Sequence, residues 1–409
     1  MKVTRFRGTI DSVEQQAQSY QAERLAGRDA PRVGLNAHLL SLDSTYRSAG
    51  VSRYIHNLMR CLPTADAALR YEAFTSVRGG AYPGWLLHLS HLPTHRPLAR
   101  MLWEQLCGPV CTRKLDLLHS PVYVSPLLAP CPTVVTIHDL SFIKLPGTFR
   151  AGNRSYLRLF TRLSAQKAEK VIVVSENTKR DAALLLGIPL ERMVVIPNGV
   201  DAAFRRVQDR ALVAEFRRRR GLPSKFLLYV GTIEPRKNLT TLIRAFARLK
   251  ERGNVDHALV IGGSKGWMYE PVLGLAQDLG LSREILFPGF LSPEELPLWY
   301  NAADVFAYPS LYEGFGLPPL EAMACGTPVI ASNASALPEV VGVAGVLVDP
   351  LDIEAWVAAM EELLLNPALR RSLGDAGLQR ARRFTWQHSA QMTAQLYREI
   401  IADRTPHYV

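Results

Sequence analysis

The chain has 409 residues, with 48 Lys and Arg against 37 Asp and Glu for a net charge of +11, and 48% of it is hydrophobic. At roughly 100–200 residues per domain this suits two or three domains, and it is too apolar to be largely disordered. No apolar run approaches the ~18 residues of a membrane-spanning helix, and the start, MKVTRFRGTIDSVEQQAQ, lacks the apolar stretch of a secretory signal, so a soluble cytoplasmic protein is expected.

Residues 1–31 read as a polar helix, Asp11–Leu25, or as a disordered tail. From residue 32 short β-branched runs alternate with longer helical patterns. The first half offers Val33–Asn36, Tyr71–Thr75, Leu115–His119, Thr133–Ile137, Val171–Val174 and Met193–Ile196 as strands. The second half offers Phe226–Val230, Ala258–Ile261, Ile285–Phe287, Asp304–Tyr308, Pro328–Ala331 and Val346–Asp349. Runs such as VVTI and VIVV are apolar without alternation, which marks strands covered on both faces, as in parallel sheets. Helical stripes fall between them, for example Leu239, Leu242, Ile243, Phe246 and Leu249. The pattern predicts two doubly wound α/β domains, with a boundary where periodicity lapses near residues 203–224. A last helix, Trp386–Ile401, either caps the second domain or crosses back to the first.

The five cysteines, Cys61, Cys107, Cys111, Cys131 and Cys325, are too scattered for a disulfide framework and are read as reduced thiols. Cys107 and Cys111, without neighbouring ligands, make a poor metal site. His88, His91 and His95 have no fixed helical register and are not read as a metal site either. Positive charge admits nucleic acid, anionic lipid or a phosphorylated small molecule. The densest run, Arg217 to Arg220, reads as a solvated helix end, or more sharply as a contact for acidic lipid headgroups. No zinc-finger spacing or RNA-recognition signature is present, so nucleic acid is not an expected partner.

In open parallel sheets ligands bind beyond the carboxyl ends of the strands. Gly and polar residues cluster there: His138-Asp139, Ser175-Glu176-Asn177, Asn198-Gly199, Gly231-Thr232, Gly262-Gly263 and the stretch Pro309 to Gly316. If the two edges face each other, the site is an inter-domain cleft. In GTIEPRKNLTTLIRAF, Gly231–Phe246, Arg236 and Lys237 stand just before a helix with Asn238 as its expected N-cap. A helix N-terminus with two cations beside it makes a diphosphate site; the Arg fork suits bidentate oxygen contact and Lys a point charge. In Tyr308–Ser332, Glu313 sits in a Gly-rich loop and Glu321 in a short helix begun by Pro318 and Pro319. Gly314 and Gly316 would let backbone N–H groups approach a ligand closely.

These segments together resemble the retaining glycosyltransferases of family four, which have the GT-B fold. The resemblance spans most of residues 32–402 and rests on IPNGVD at Ile196–Asp201, GTIEPRKN, VIGG, LFPGFLSPEELPLWY at Leu286–Tyr300 and the Glu313–Glu321 block. AGVSRY at Ala49–Tyr54 looks like the family's glycine loop, with one glycine where a pair is common. The resemblance implies an N-terminal acceptor-binding domain over residues 32–205, a nucleotide-sugar-binding domain over 215–384, and residues 385–409 as a final helix. It implies transfer of a sugar from a nucleotide sugar to a hydroxyl with retention of configuration, no cofactor and no required metal.

By the same resemblance Gly231, Arg236 and Lys237 meet the donor diphosphate, Glu321 the ribose, and the backbone of Phe287, Pro288 and Gly289 the base. Glu313 with Gly314, Phe315, Gly316 and Leu317 would contact the transferred sugar and phosphate. His138 would lie beneath the sugar, and Gly50, Ser52 and Arg53 near the phosphates or acceptor. The usual retaining route needs a carboxylate nucleophile about 5 Å from the acid; none can be named, and the family points to attack from the leaving group's own face. RMLWEQ at Arg100–Gln105 and SPVYVSPLLAP look like mannosyltransferases of surface polysaccharide synthesis. GDP-mannose is therefore the first choice of donor, ahead of a UDP-sugar. A glycan or polyprenol-linked acceptor and a peripheral place on an anionic membrane follow from the same likeness. The alternatives are a sugar-nucleotide epimerase or hydrolase of the same fold, or a non-enzymatic basic nucleic-acid-binding protein.

Overall fold

The computed structural model describes residues 30–41, 50–94, 96–148, 151–266 and 268–404; the helix expected at Asp11–Leu25, and His95, lie outside them. Seven parallel strands form the first sheet: β1 (Arg32–Asn36), β2 (Arg70–Thr75), β3 (Trp85–Leu89), β4 (Leu117–Ser120), β5 (Thr133–Ile137), β6 (Lys170–Val173) and β7 (Met193–Val195). Their order is β3-β2-β1-β4-β5-β6-β7. The second sheet holds β8 (Phe226–Val230), β9 (Ala258–Gly262), β10 (Ile285–Gly289), β11 (Val305–Tyr308), β12 (Val329–Ser332) and β13 (Val346–Val348), in the order β10-β9-β8-β11-β12-β13. Both orders turn back on themselves beside the first strand of each sheet, which opens a crevice at the carboxyl ends of β1 and β4 and of β8 and β11. This is the GT-B arrangement, two Rossmann-like lobes edge to edge.

Strand β3 was not foreseen. WLLHL is a short apolar run beyond the turn at Gly84, whose φ is +86°, and its one histidine, His88, drew attention from its strand character. His88 stacks on Phe74 with ring centroids 4.9 Å apart and bonds to Glu72 at 2.8 Å, so it serves cross-strand packing. The arginine run also takes a definite place. Arg217 donates to the carbonyl of Ser224 at 2.7 Å and to that of Ala302; Arg218 pairs with Glu215, and Arg219 and Arg220 grip Glu295. All these partners lie in the second lobe or the segment leading into it.

The lobes meet through specific contacts. Helix α1 (Val51–Ala65) lies on the first sheet, and α2 (Glu176–Leu186) begins with Ser175 as its side-chain cap. Glu339 of the second lobe accepts the N–H groups of Glu176 and Asn177 at 2.8 and 2.7 Å, a carboxylate placed where the helix dipole favours one. Tyr312 donates to Asp181 at 2.7 Å. The final helix, α5 (Trp386–Ala402), buries Trp386, Ala390, Ala394, Tyr397 and Ile400 in the core around α1. The chain crosses between lobes twice, side by side. Gly199 allows this, since a Cβ there would come within 2.1 Å of the Trp386 nitrogen.

Candidate active site

Between the two carboxyl edges lies a cavity of about 400 Å³. Arg236 and Lys237 enter it from a tight 3-10 turn, Pro235–Lys237, that precedes helix α3 (Leu239–Glu251). Asn238 is not the expected side-chain cap. Its backbone is left-handed at φ +54°, and its amide donates to the carbonyls of Pro309 and Pro350 at 3.2 and 2.7 Å, tying the turn to the neighbouring loops.

The two cations converge on Glu313. Lys237 Nζ lies 2.5 Å from Glu313 Oε1 and 2.8 Å from the Tyr308 hydroxyl; Arg236 Nη1 reaches Glu313 Oε2 at 3.0 Å and the Tyr312 carbonyl at 2.8 Å. Tyr308 and Ser310 donate to the same carboxylate at 3.0 and 2.6 Å. Burial by itself would raise the Glu313 pKa, but Arg236 and Lys237 overcome it and hold the carboxyl at about 2. Burial, with Arg236 beside it, lowers Lys237; Glu313 and Glu234 outweigh burial at Arg236 and push it well above its ordinary value. The forked edge of Arg236 differs from expectation: Nε and Nη2 lie 3.1 and 2.8 Å from Glu234 Oε1. Of the five N–H groups of a guanidinium, one on Nη2 is left for a ligand, and one ammonium hydrogen on Lys237.

Glu321 lies in the short helix α4 (Leu317–Ala324). Tyr300 donates to it at 2.9 Å, and Arg53 of the first lobe pairs with its other oxygen while sitting over the Phe204 ring. Burial raises the Glu321 pKa despite both partners. His138 lines the cavity opposite. Its Nε2–H donates to the Pro121 carbonyl at 2.8 Å and burial lowers its pKa, which makes it a neutral imidazole with Nδ1 as acceptor.

The glycines of this loop also do structural work. Gly314 permits contact between lobes: a Cβ would fall 1.7 Å from the His138 carbonyl oxygen, and the Gly314 carbonyl accepts from Ser175 at 2.7 Å and Thr178 at 3.3 Å. Gly316 starts α4 at φ +111° with Leu337 filling the space a Cβ would need. Gly50, Arg53, Gly231, Gly314, Phe315, Gly316 and Leu317 all line the cavity. Ser52 does not; its Oγ is bonded to the backbone of Ser41. Phe287, Pro288 and Gly289 of β10 are also absent from the lining, because the loop after the strand supplies Phe290, Leu291 and Pro293 instead.

Sequence reasoning missed Tyr123, which lines the first lobe's wall with its backbone at φ +48°. Such a conformation costs a non-glycine residue about 1–3 kcal/mol and gathers at functional sites. Its place beyond β4 was the available signal. Asn198, buried at the wall with Oδ1 unpartnered, is a second polar group facing this space.

Residues 48–204 match Glycosyltransferase Family 4, and residues 214–380 match Glycosyl transferases group 1. O-antigen chain mannosyltransferase B of Escherichia coli is 31% identical over 265 residues, 65% of this chain and 70% of that one. The chain belongs to the family-four glycosyltransferases. Among solved structures, sucrose-phosphate synthase from Thermosynechococcus elongatus superposes on the transferase with a TM-score of 0.72 at 25% identity, covering 91% of this chain and 100% of that one. HepE of Anabaena, in complex with UDP and glucose, shares the fold with a TM-score of 0.68 at 21% identity, over 90% and 99% of the two chains. Among the described residues no helix of the glycosyltransferase is long and apolar enough to cross a membrane.

Proposed function

We propose that this glycosyltransferase moves mannose from GDP-mannose, with retention and without a metal, to a hydroxyl of a lipid-linked glycan in polysaccharide synthesis at an anionic membrane surface. The convergence of Arg236 and Lys237 on one buried point carries the reading. Breaking the bond between the anomeric carbon and the phosphate oxygen leaves the electron pair on oxygen, giving an oxocarbenium-like sugar and a nucleoside diphosphate with one more negative charge than the donor carried. Preorganised cations at that leaving group lower the barrier at the moment charge develops. Glu321 accepts the ribose hydroxyls, and the apolar Phe290 and Leu291 cover the base.

The environment of Glu313 supports attack from the leaving group's own face. A carboxylate that accepts from Arg236, Lys237, Tyr308 and Ser310 has little electron density left to act as a nucleophile. Its work is to hold both cations in place and to meet the transferred sugar, whose opposite side rests on His138. Mannose and the polysaccharide acceptor are favoured by the likeness to an O-antigen chain mannosyltransferase.

Thermal shifts with GDP, UDP and ADP test the base, since a ligand that binds the native state stabilises it. GDP should give the largest shift. Turnover of GDP-mannose should then require an acceptor glycan, persist in excess chelator, and yield the α-anomer by proton NMR. Rapid turnover without acceptor would favour an epimerase or hydrolase instead.

A further inference from the structure

We propose that the crossover between the two lobes holds a second anion site, built for a small organic diphosphate. It shares no lining residue with the catalytic cleft and uses none of the donor chemistry proposed above.

Two cavities of about 460 and 320 Å³ lie along the segments where the chain passes between lobes, and both are lined by Arg206 and Gln208. Volumes of this order suit a small molecule. The first cavity is walled by α1 of the first lobe, by the outgoing crossing at residues 200–208 and by the returning one at 385–387. Residues 378–382 of the second lobe complete it, so an occupant touches both lobes and both crossings.

Charge sets the ligand class. Arg60, Arg205, Arg206 and Arg382 line the first cavity, and Arg206, Arg210 and Arg217 the second, with Asp201 the single carboxylate among the lining residues. Elsewhere the chain neutralises such crowding: the neighbouring Arg218, Arg219 and Arg220 are matched to Glu215 and Glu295. Arg205 and Arg210 have no side-chain partner among the described residues. Arg60 and Arg206 pair with Asp201 and Asp375 at 3.0 and 2.7 Å, but both arginines are exposed, and pairs so open to water hold weakly. A guanidinium fork grips a phosphate through two parallel bonds. Four forks around one space, continued by two more, fit two linked phosphoryl groups.

Two further features mark a built site. Arg206, common to both cavities, rests on backbone: an ideal Cβ on Gly326 would come within 2.5 Å of its Nε, and one on Gly374 within 3.3 Å of its Nη2. The absence of both side chains leaves the room that the guanidinium occupies. Trp386, on the wall of the first cavity, is 3% exposed, and its indole N–H is a buried donor without a partner, which is uncommon in folded proteins. With Val200, Phe204 and Leu378 it supplies an apolar side for the organic part of the ligand. Phe204 also lies 5.9 Å from the Arg53 guanidinium and edge-on to Tyr300. Those are the two residues that bond Glu321, so the site stands one aromatic ring from the cleft.

Hydrogen exchange of the full chain with pyrophosphate, read by mass spectrometry, tests this because it reports where the ligand sits. Pyrophosphate should protect residues 200–208 and 385–390, and sodium chloride at equal ionic strength should not. Protection at residues 231–240 reports the catalytic cleft separately, so failure of the donor reading is distinguishable from failure here. Arg205→Glu with Arg382→Glu should raise the pyrophosphate concentration needed to protect the crossings at least about tenfold, the loss expected for one charged hydrogen bond. Protection at 231–240 should not change. Both side chains are exposed, so the ligand-free unfolding midpoint should match the wild type. A charge-matched control, Arg218→Glu with Arg371→Glu, should behave as the wild type does. Unprotected crossings in the wild type, protection by chloride alone, or an equal loss in the control would overturn the proposal.

Discussion

Arg53 of α1 donates to Glu321 of α4, an ion pair that spans the cleft between the two lobes. It fastens the lobes on the carboxylate proposed above to meet the ribose; on that reading ligand entry and lobe contact share one group.

Removing Arg53 leaves Glu321 buried with Tyr300 alone. Arg53→Ala should lower stability by about 1–3 kcal/mol, the cost of an unsatisfied buried charged group. The Glu321 pKa is already raised by burial, and loss of Arg53 raises it further. Between its unfolded and folded values the native state binds the extra proton, so stability falls as pH rises through that window. GDP affinity should move the other way, weakening on acidification more steeply in the variant, as titration calorimetry at pH 6 and pH 8 will show.

Lys237→Ala should lower kcat about 10²–10³-fold, the usual cost of losing one preorganised charge at a developing anion. The substrate KM should change far less. Lys237→Arg should not rescue, because the ammonium is wedged between Tyr308 and Glu313 at 2.8 and 2.5 Å, without room for a planar fork. Steady-state kinetics with the nucleotide sugar decides both.

Gly314→Ala places a methyl against the His138 carbonyl oxygen, 1.7 Å from an ideal Cβ. The backbone there cannot yield without parting the lobes. Small-angle scattering should report a larger radius of gyration, and activity should fall even though no catalytic side chain has changed.

Glu104 offers a pH test away from the cleft. Burial, only partly offset by Arg100, Asn36 and Tyr156, raises its pKa to about 7. Its unfolded value is the ordinary 4.5, so the folded state holds the extra proton between the two. Stability through this group is greatest below pH 4.5 and declines as pH rises to 7, a total of about 3 kcal/mol at 1.36 kcal/mol per unit. Glu104→Gln should flatten that part of the urea-denaturation profile and stabilise the protein at pH 8.

Tyr397→Phe should cost about 1–3 kcal/mol by stranding a buried polar atom. His119 is fully enclosed, with burial lowering its pKa to about 3, and bonds to the Tyr397 hydroxyl at 2.5 Å and Thr136 Oγ1 at 2.8 Å. The loss should appear in the unfolding of the first lobe, because that is where α5 is anchored.

Much of the cleft was legible from local pattern. Unbroken apolar runs such as VVTI declared parallel strands, and polar residues following them declared the edge where a ligand belongs. Other features resisted reading because they depend on side-chain geometry or on distant partners. Glu234 stands only two residues before Arg236, but the order of residues does not say that it takes the fork, and nothing near Asn238 in the chain says that it ties loops together instead of capping a helix. Strand β3 was hidden by its brevity and by a histidine that suggested another purpose. The contact edge of β10 was misplaced by a few residues, since a strand pattern cannot tell which part of the following loop folds inward.

The sequence alone therefore determined the two-lobed α/β architecture and the kinds of group at its strand ends, because periodicity and turn chemistry act over a few residues. Only the tertiary structure decided how those groups are paired: Arg53 on Glu321, Gly314 against His138, both cations on Glu313. Such pairings join positions up to 268 residues apart, and burial, which sets their strength and protonation, exists only once the lobes have closed on one another.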